Sequence, residues 1–252
     1  MIEHKRDFHI HATAYRLGES RKDNTVKAII TYCMELGLDI VGVGEHLNSS
    51  PKHPVECLRS LVQEFRKIDP PMECFVCAEV DVLDRNGKVS CSPELKKELG
   101  LDYLLGSFHT GSWDEVNPDI NSFVEEELLR LLSMMENCPY IDIVAHPWRA
   151  GIKWERNGSI GKWSFGLVPD EYQDRLIESA LKHGMAIEVN AGVEEVMNDE
   201  GYARFVLKIK DAGVPIAIGS DAHQTENIKR AIHIAEFLSG LGIDDRDLWR
   251  PV

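Results

Sequence analysis

No stretch of this 252-residue chain is apolar for long enough to cross a membrane. The opening residues, MIEHKRDFHI, pass from charged groups straight into a strand-like run, with no apolar h-region. A cytoplasmic protein without a signal peptide is therefore expected. Basic residues are scarce: 28 Lys and Arg against 42 Asp and Glu give a formal charge of −14. Such a surface repels a phosphodiester backbone and argues against a duplex nucleic-acid partner. It leaves room for a small anion held by a local cluster of metals or arginines. The six cysteines are scattered, and Cys74 and Cys77 form a lone CxxC with no second pair. Reduced, mostly buried thiols are expected, because residues i and i+3 of a strand face opposite ways. Also missing are a GxGxxG after any strand, a nucleophile elbow, a cysteine-based phosphatase loop and a Pro/Gly-rich linker. Dinucleotide-binding folds, covalent serine or cysteine hydrolases and multidomain chains thus lose their usual signatures together.

What is present is alternation. Strand-like runs DFHIHAT, LDIVGVGEH, MECFVCAEVDVL, LDYLLGSFHT, YIDIVAHPWR, MAIEVNAG and VPIAIGSDAH are each followed by a helical stretch. In the first helix, NTVKAIITYCMELG, Asn24 is the expected cap and Gly37 the stop. Ser92 and Pro93 mark the start of SPELKKELG. Alternating strands and helices predict parallel strands, and their continuous apolar runs predict that both faces are covered. Seven units in a chain that is 43% hydrophobic predict a single α/β domain over residues 1–252. Its architecture would be a distorted (β/α)7 TIM-like barrel, one unit short of eight; an open doubly wound sheet is the alternative.

The polar residues fall in a pattern on that scaffold. His9 and His11 end the first strand, Glu45 and His46 the second. Glu79 lies late in the third. His109 and His146 end the fourth and fifth, Glu188 and Asn190 lie in the sixth, and Asp221 and His223 end the seventh. In a barrel those C-terminal ends converge on one rim. Six of the ten histidines lie there; His4, His53, His183 and His233 fall elsewhere and read as structural or solvated. Residues i and i+2 of a strand share a face, so His9 pairs with His11 and Asp221 with His223, while Ile10 faces the packed side. Imidazole with carboxylate suits zinc, manganese or iron, and so many ligands call for two or three divalent ions with a bridging carboxylate.

HxH on the first strand, an acid–His pair on the second, a lone Glu on the third, single histidines on the fourth and fifth, and DxH on the last resemble the PHP (polymerase and histidinol phosphatase) family. The resemblance runs over about residues 5–236. It implies a metal-dependent phosphoesterase, histidinol-phosphatase-like, with up to three metals. For a small phosphomonoester the chemistry predicts in-line attack of a metal-bound hydroxide, without a covalent enzyme intermediate. By the resemblance, the ligands divide among the ions as follows. His9, His11, Glu79 and Asp221 would hold one ion. Glu79 would bridge to a second ion, held also by His109 and His146, and His46 and His223 would hold a third. Asp7 would orient a histidine ring from behind. The pattern departs from the family after HxH, where ATAYRLGES offers no His or Asp; Glu19 is the nearest carboxylate.

A phosphate dianion also needs cations from the protein. The connection HPWRAGIKWERNGSIGKW, after the fifth strand, carries Arg149, Lys153, Arg156 and Lys162 with Trp148, Trp154 and Trp163. Arg149 is the expected phosphate ligand, because its fork of donors matches phosphate. Arg16 and Arg21 are secondary, the tryptophans could stack a ring, and His223 is a candidate proton donor. Three other readings stay open: an amidohydrolase cleaving C–N or C–O bonds, a nucleotide or oligonucleotide phosphoesterase, and a non-catalytic metal-binding barrel. Amidohydrolases commonly bridge their metals with lysine, where this chain offers Glu79.

Overall fold

The computed structural model describes residues 2–19, 22–48, 50, 52–109, 119–156, 158, 160–190 and 199–251. Seven strands form one parallel sheet in sequential order: β1 (Arg6–His11), β2 (Ile40–Leu47), β3 (Glu73–Asp81), β4 (Tyr103–Ser107), β5 (Ile143–Val144), β6 (Ala186–Asn190) and β7 (Ile216–Gly219). The last strand returns to the first: Ile10 bridges Ala222, and the His11 N–H donates to the Ala222 carbonyl at 2.9 Å. The result is a nearly closed (β/α)7 barrel. An open doubly wound sheet would leave those edges apart.

Helices α1 (Val26–Glu35), α2 (Val55–Phe65), α3 (Pro93–Leu99), α4 (Ile120–Asn137), α5 (Ala150–Arg156), α6 (Asp170–His183), α7 (Glu200–Asp211) and α8 (Arg230–Gly240) accompany the strands. The helices that pack on the sheet do so with an apolar stripe; on α2 it is Cys57, Leu58, Leu61 and Val62, recurring at helical spacing. The α3 signals work as read: the Ser92 hydroxyl accepts from the Leu95 N–H, Pro93 begins the helix and Gly100 ends it in the left-handed region. Asn24 does not cap α1. Thr25 does, accepting from the Ala28 N–H, which leaves Asn24 for another task. The long connection after β5 is not all loop, since it contains α5. The closing helix is shorter than the apolar pattern, starting at Arg230 after a 3-10 turn over Thr225–Asn227.

Two apolar layers result. The larger lies between strands and helices. The smaller fills the lower barrel with Phe8, Ile40, Cys77, Tyr103, Leu105, Ile143, Ala145, Ala186 and Ala217. Trp249 closes that end, edge-on to Phe8 at 5.0 Å and to Tyr103 at 5.1 Å between centroids, contacts worth about 0.5–1.5 kcal/mol each beyond burial. Gly42 makes this packing possible: a Cβ there would lie 1.6 Å from the Tyr103 hydroxyl, which donates to the Phe8 carbonyl at 2.6 Å.

β1 is not a regular strand. Asp7 pairs with Val41 but Ile10 pairs with Val43, so β1 carries one extra residue, a bulge. Phe8 therefore faces the barrel interior, and so do His9 and His11, while Ile10 joins the helix-facing layer. Simple alternation would put Asp7 on the face of His9. Its register partner Val41 lies in the helix-facing layer, so the bulge separates the two.

Candidate metal centre

Above the apolar plug the barrel turns polar. His9, His11, Glu79, His146, Glu188, Asn190 and Asp221 are buried there, and His46, His109 and His223 line the rim. Two of these residues depend on unusual backbone. His146 and Asp221 have φ of 27° and 49°, in a region L-residues seldom adopt. Plain alternation along β5 would send His146 away from the barrel, since Ala145 faces in; the left-handed turn brings it back.

Hydrogen bonds fix the tautomers. His9 Nδ1 donates to Glu188 Oε1 at 2.8 Å, His11 Nδ1 to Glu45 Oε1 at 3.2 Å, and His109 Nδ1 to Asp81 Oδ1 at 2.6 Å. In each ring this leaves Nε2 turned toward the centre as the nitrogen a metal would take in place of a proton. Glu188 does more: Oε1 also accepts from Asn190 Nδ2 at 2.9 Å, and Oε2 accepts the His146 N–H at 2.8 Å. Gly219 gives it room, because a Cβ there would lie 1.8 Å from Glu188 Oε1.

The inward atoms crowd in a way that hydrogen bonding does not explain. His9 Nε2 and His11 Nε2 lie 3.0 Å apart, both turned inward. Glu79 Oε2 is 3.4 Å from each. Asp221 Oδ1 is 2.9 Å from His11 Nε2 and 3.7 Å from His9 Nε2. Ligands about 2.0–2.2 Å from a tetrahedral ion are spaced about 3.3 Å from one another, so these separations are tetrahedron edges. Glu79 Oε2, Asp221 Oδ1 and His46 Nδ1 are buried with no hydrogen-bond partner among the described residues. Orphaned polar atoms of this kind are costly unless a cation satisfies them. The donor set fits a divalent transition ion.

Glu79 turns its second oxygen elsewhere. Oε1 lies 2.8 Å from His146 Nε2 and 3.3 Å from His109 Nε2. Its two oxygens thus address two sets of imidazoles. Burial pushes the Glu79 carboxyl up, but His46, His109 and His9 outweigh it and hold the group well below the usual carboxylate range. His46 and His223 form a third group, with His11 as the nearest additional imidazole. His11 has little to add there, since Nδ1 is bound to Glu45 and Nε2 points at Asp221. His53, read from sequence as a loop residue, stacks on His46 at 4.9 Å and 20°.

Other expected roles change. Asp7 orients no ring; its Oδ1 accepts the backbone N–H of His9 at 3.1 Å and of Ser220 at 2.9 Å, tying β1 to the end of β7. Arg16 is committed to Glu45 through Nε at 2.9 Å and Nη2 at 2.8 Å. The fork expected to bind phosphate instead holds the carboxylate behind His11. Glu19 joins none of the ligand groups among the described residues, and Arg21 lies outside those residues. Arg149 does reach the rim, one-third exposed and paired with Asp221. His223 Nδ1 donates to the Asp221 carbonyl at 2.9 Å, leaving Nε2 as an acceptor. That suits a ligand and does not suit the expected proton donor. Trp148, Trp154 and Trp163 are buried among α4–α7 residues, so they do not stack a ligand. Asp81 was missed by sequence reasoning, although it follows Glu79 by two residues and so shares its face.

No protein-family model matches the chain. Among curated proteins, it is 25% identical over 191 residues to a probable phosphatase of Caldanaerobacter subterraneus subsp. tengcongensis, covering 74% of this chain and 65% of that one. It is 24% identical over 213 residues to a probable phosphatase of Caldicellulosiruptor bescii, covering 82% and 76%. In the first of these the match spans just under two thirds of the relative's length. Among solved structures, histidinol phosphate phosphatase from Lactococcus lactis subsp. lactis, complexed with zinc, L-histidinol and phosphate, superposes with a TM-score of 0.62 over 95% of each chain at 15% identity. At that identity the likeness is one of fold. The curated relatives are named as phosphatases, in keeping with the resemblance read from the motifs; the solved structure adds the barrel fold.

Proposed function

We propose that the chain is a metal-dependent phosphoesterase of the PHP type, acting on a small phosphorylated metabolite. One observation carries this reading: Glu79 faces two separate imidazole sets with its two oxygens, as a carboxylate bridging two ions does. His9, His11, Glu79 and Asp221 would hold one ion, Glu79, His109 and His146 a second, and His46 with His223 a third, the metals being zinc, manganese or iron. When bound, such ions neutralise phosphoryl oxygens and lower the pKa of water.

The chain's own residues do the rest. Glu188, Glu45 and Asp81 hold three imidazoles in one tautomer and one orientation. Arg149, beside Asp221 at the rim, would receive the phosphoryl group and fix its direction of approach. Arg16 being engaged with Glu45 supports Arg149 for that contact among the described residues. The named phosphatase relatives and the small ligands of the Lactococcus neighbour support a phosphomonoester of modest size. The charge of −14 argues against duplex nucleic acid. Among the described residues no helix is long and apolar enough to cross a membrane. All six cysteines are free thiols, in keeping with a cytoplasmic protein.

The test is phosphate release from p-nitrophenyl phosphate, histidinol phosphate and other phosphorylated metabolites, after chelation and return of Zn, Mn or Fe. Amide and lactone substrates are run alongside. Metal-dependent phosphate release, with the oxygen isotope of oxygen-labelled water entering the phosphate, is expected. Amide or lactone hydrolysis in its place would identify an amidohydrolase and overturn the proposal.

A further inference from the structure

Glu127 is an acid in an unexpected place. It sits on α4, outside the barrel, and is buried. No cation pairs with it among its hydrogen bonds or ion pairs; Oε1 accepts the Trp148 N–H at 2.5 Å, and Oε2 has no partner among the described residues. Buried carboxylates without a partner are rare, because desolvation is costly.

Its one partner is a telling one. Trp148 has φ of 59°, and His146, two residues earlier, has φ of 27°. A bulky residue in the left-handed region holds that conformation only where its surroundings impose it. Here α4 imposes it from two positions one turn apart: Glu127 takes the backbone N–H and the Val124 carbonyl takes the indole N–H at 3.0 Å. Phe165 and Phe205 box the ring edge-on, each at 5.9 Å. Trp148 is thus a fixed post. The chain leaves it for His146 on one side and for Arg149 on the other.

We propose that Glu127 is a positioning residue for the metal centre: by holding Trp148 in its left-handed turn, it sets where His146 meets Glu79 and where Arg149 meets Asp221. This rests on His146 and Arg149 having the roles proposed above. Burial pushes the Glu127 carboxyl up to about 8, so an uncharged acceptor of the same shape, glutamine, should serve in its place.

The test counts metal and does not need a substrate. Wild type, Glu127→Gln, Glu127→Asp and Glu127→Leu are stripped by chelator and titrated with Zn²⁺, with bound ions and affinities measured and folding checked by circular dichroism. Glu127→Gln should bind as wild type. Glu127→Leu should bind its second ion about 10–100-fold more weakly, and Glu127→Asp should weaken it too, because the shortened carboxyl withdraws from the Trp148 N–H. If Glu127→Leu does not fold, Glu127→Asp decides. Wild-type affinities in Glu127→Leu or Glu127→Asp, or a loss in Glu127→Gln as large as theirs, would overturn the proposal. A wild type that binds no ion would instead overturn the metal-centre reading itself.

Discussion

Glu79 Oε2 and His46 Nδ1 lie 2.8 Å apart, both buried, and neither makes a hydrogen bond of acceptable geometry. One atom belongs to a residue late in β3 and the other to one at the end of the adjacent β2, in register. Burial, helped by the neighbouring His11 and His109 and opposed by Glu79, pushes the His46 imidazole down to about 4, so near pH 7 it offers Glu79 a lone pair and no proton. Two electron-rich atoms held that close by a rigid sheet are complementary to a cation between or beside them.

The carboxylates behind the imidazoles should matter nearly as much as the ligands. Asp81 holds His109 Nδ1 at 2.6 Å, and with Glu79 it overcomes burial to raise that imidazole to about 10. Asp81→Asn should weaken metal binding about 10–100-fold, read as a shift in Zn²⁺ affinity with the fold unchanged by circular dichroism. Unaltered affinity would mean that His109 lies outside the centre.

Arg149→Ala should lower kcat/KM for phosphomonoesters about 10–100-fold, mainly through KM, the size expected for a charge-assisted hydrogen bond. Metal content should stay at the wild-type level, since Asp221 keeps the oxygen that faces His11. Unchanged kinetics would remove Arg149 from the phosphate site.

Asn24, freed from capping, clasps the seam of the barrel. Its Nδ2 lies 2.8 Å from the His11 carbonyl, 3.1 Å from Thr13 Oγ1 and 3.2 Å from the His223 carbonyl, joining the ends of β1 and β7. Asn24→Ala should cost about 2 kcal/mol or more, because buried carbonyls lose their donor. The denaturant midpoint should fall while helix content holds, since Thr25 still caps α1. A midpoint equal to wild type would contradict this.

Much of this arrangement can be read from residue types. DFHIH, GEH, SFH and SDAH announce themselves because histidine and acid at strand ends have few structural uses, and the seven β-then-α units follow from alternation. The bulge at Phe8 and His9 is invisible in that pattern, so alternation errs on Asp7. Trp148, Trp154 and Trp163 look like rim residues because nothing local signals the left-handed turns at His146 and Trp148 that fold this connection inward. Glu127 reads as one of a run of acids on an amphipathic helix, FVEEELL. Its burial is decided by a segment about twenty residues later in the chain. Asp81 was legible, by the same two-residue spacing that links His9 to His11.

Glu127 also fixes a sign for the pH dependence of stability. Its carboxyl ionises near 4.5 in an unfolded chain and near 8 when folded, because of burial. Between those values the folded state holds a proton that the unfolded state has lost, so stability falls as pH rises, by up to about 1.4 kcal/mol per pH unit from this group. In chemical denaturation with chelator present, from about pH 5 to about pH 9, Glu127→Gln should lose that part of the slope. Parallel profiles for the two proteins would contradict a buried neutral carboxyl.

Counting ions in wild type and in Glu79→Gln tests the bridged centre most directly. After chelation and reloading, wild type should hold at least two divalent ions per chain. Glu79→Gln, in which an amide nitrogen replaces one of the two oxygens, should hold at most one tightly. A wild-type chain that binds a single ion or none, or a Glu79→Gln chain loaded like wild type, would contradict a carboxylate bridge at the centre of this barrel.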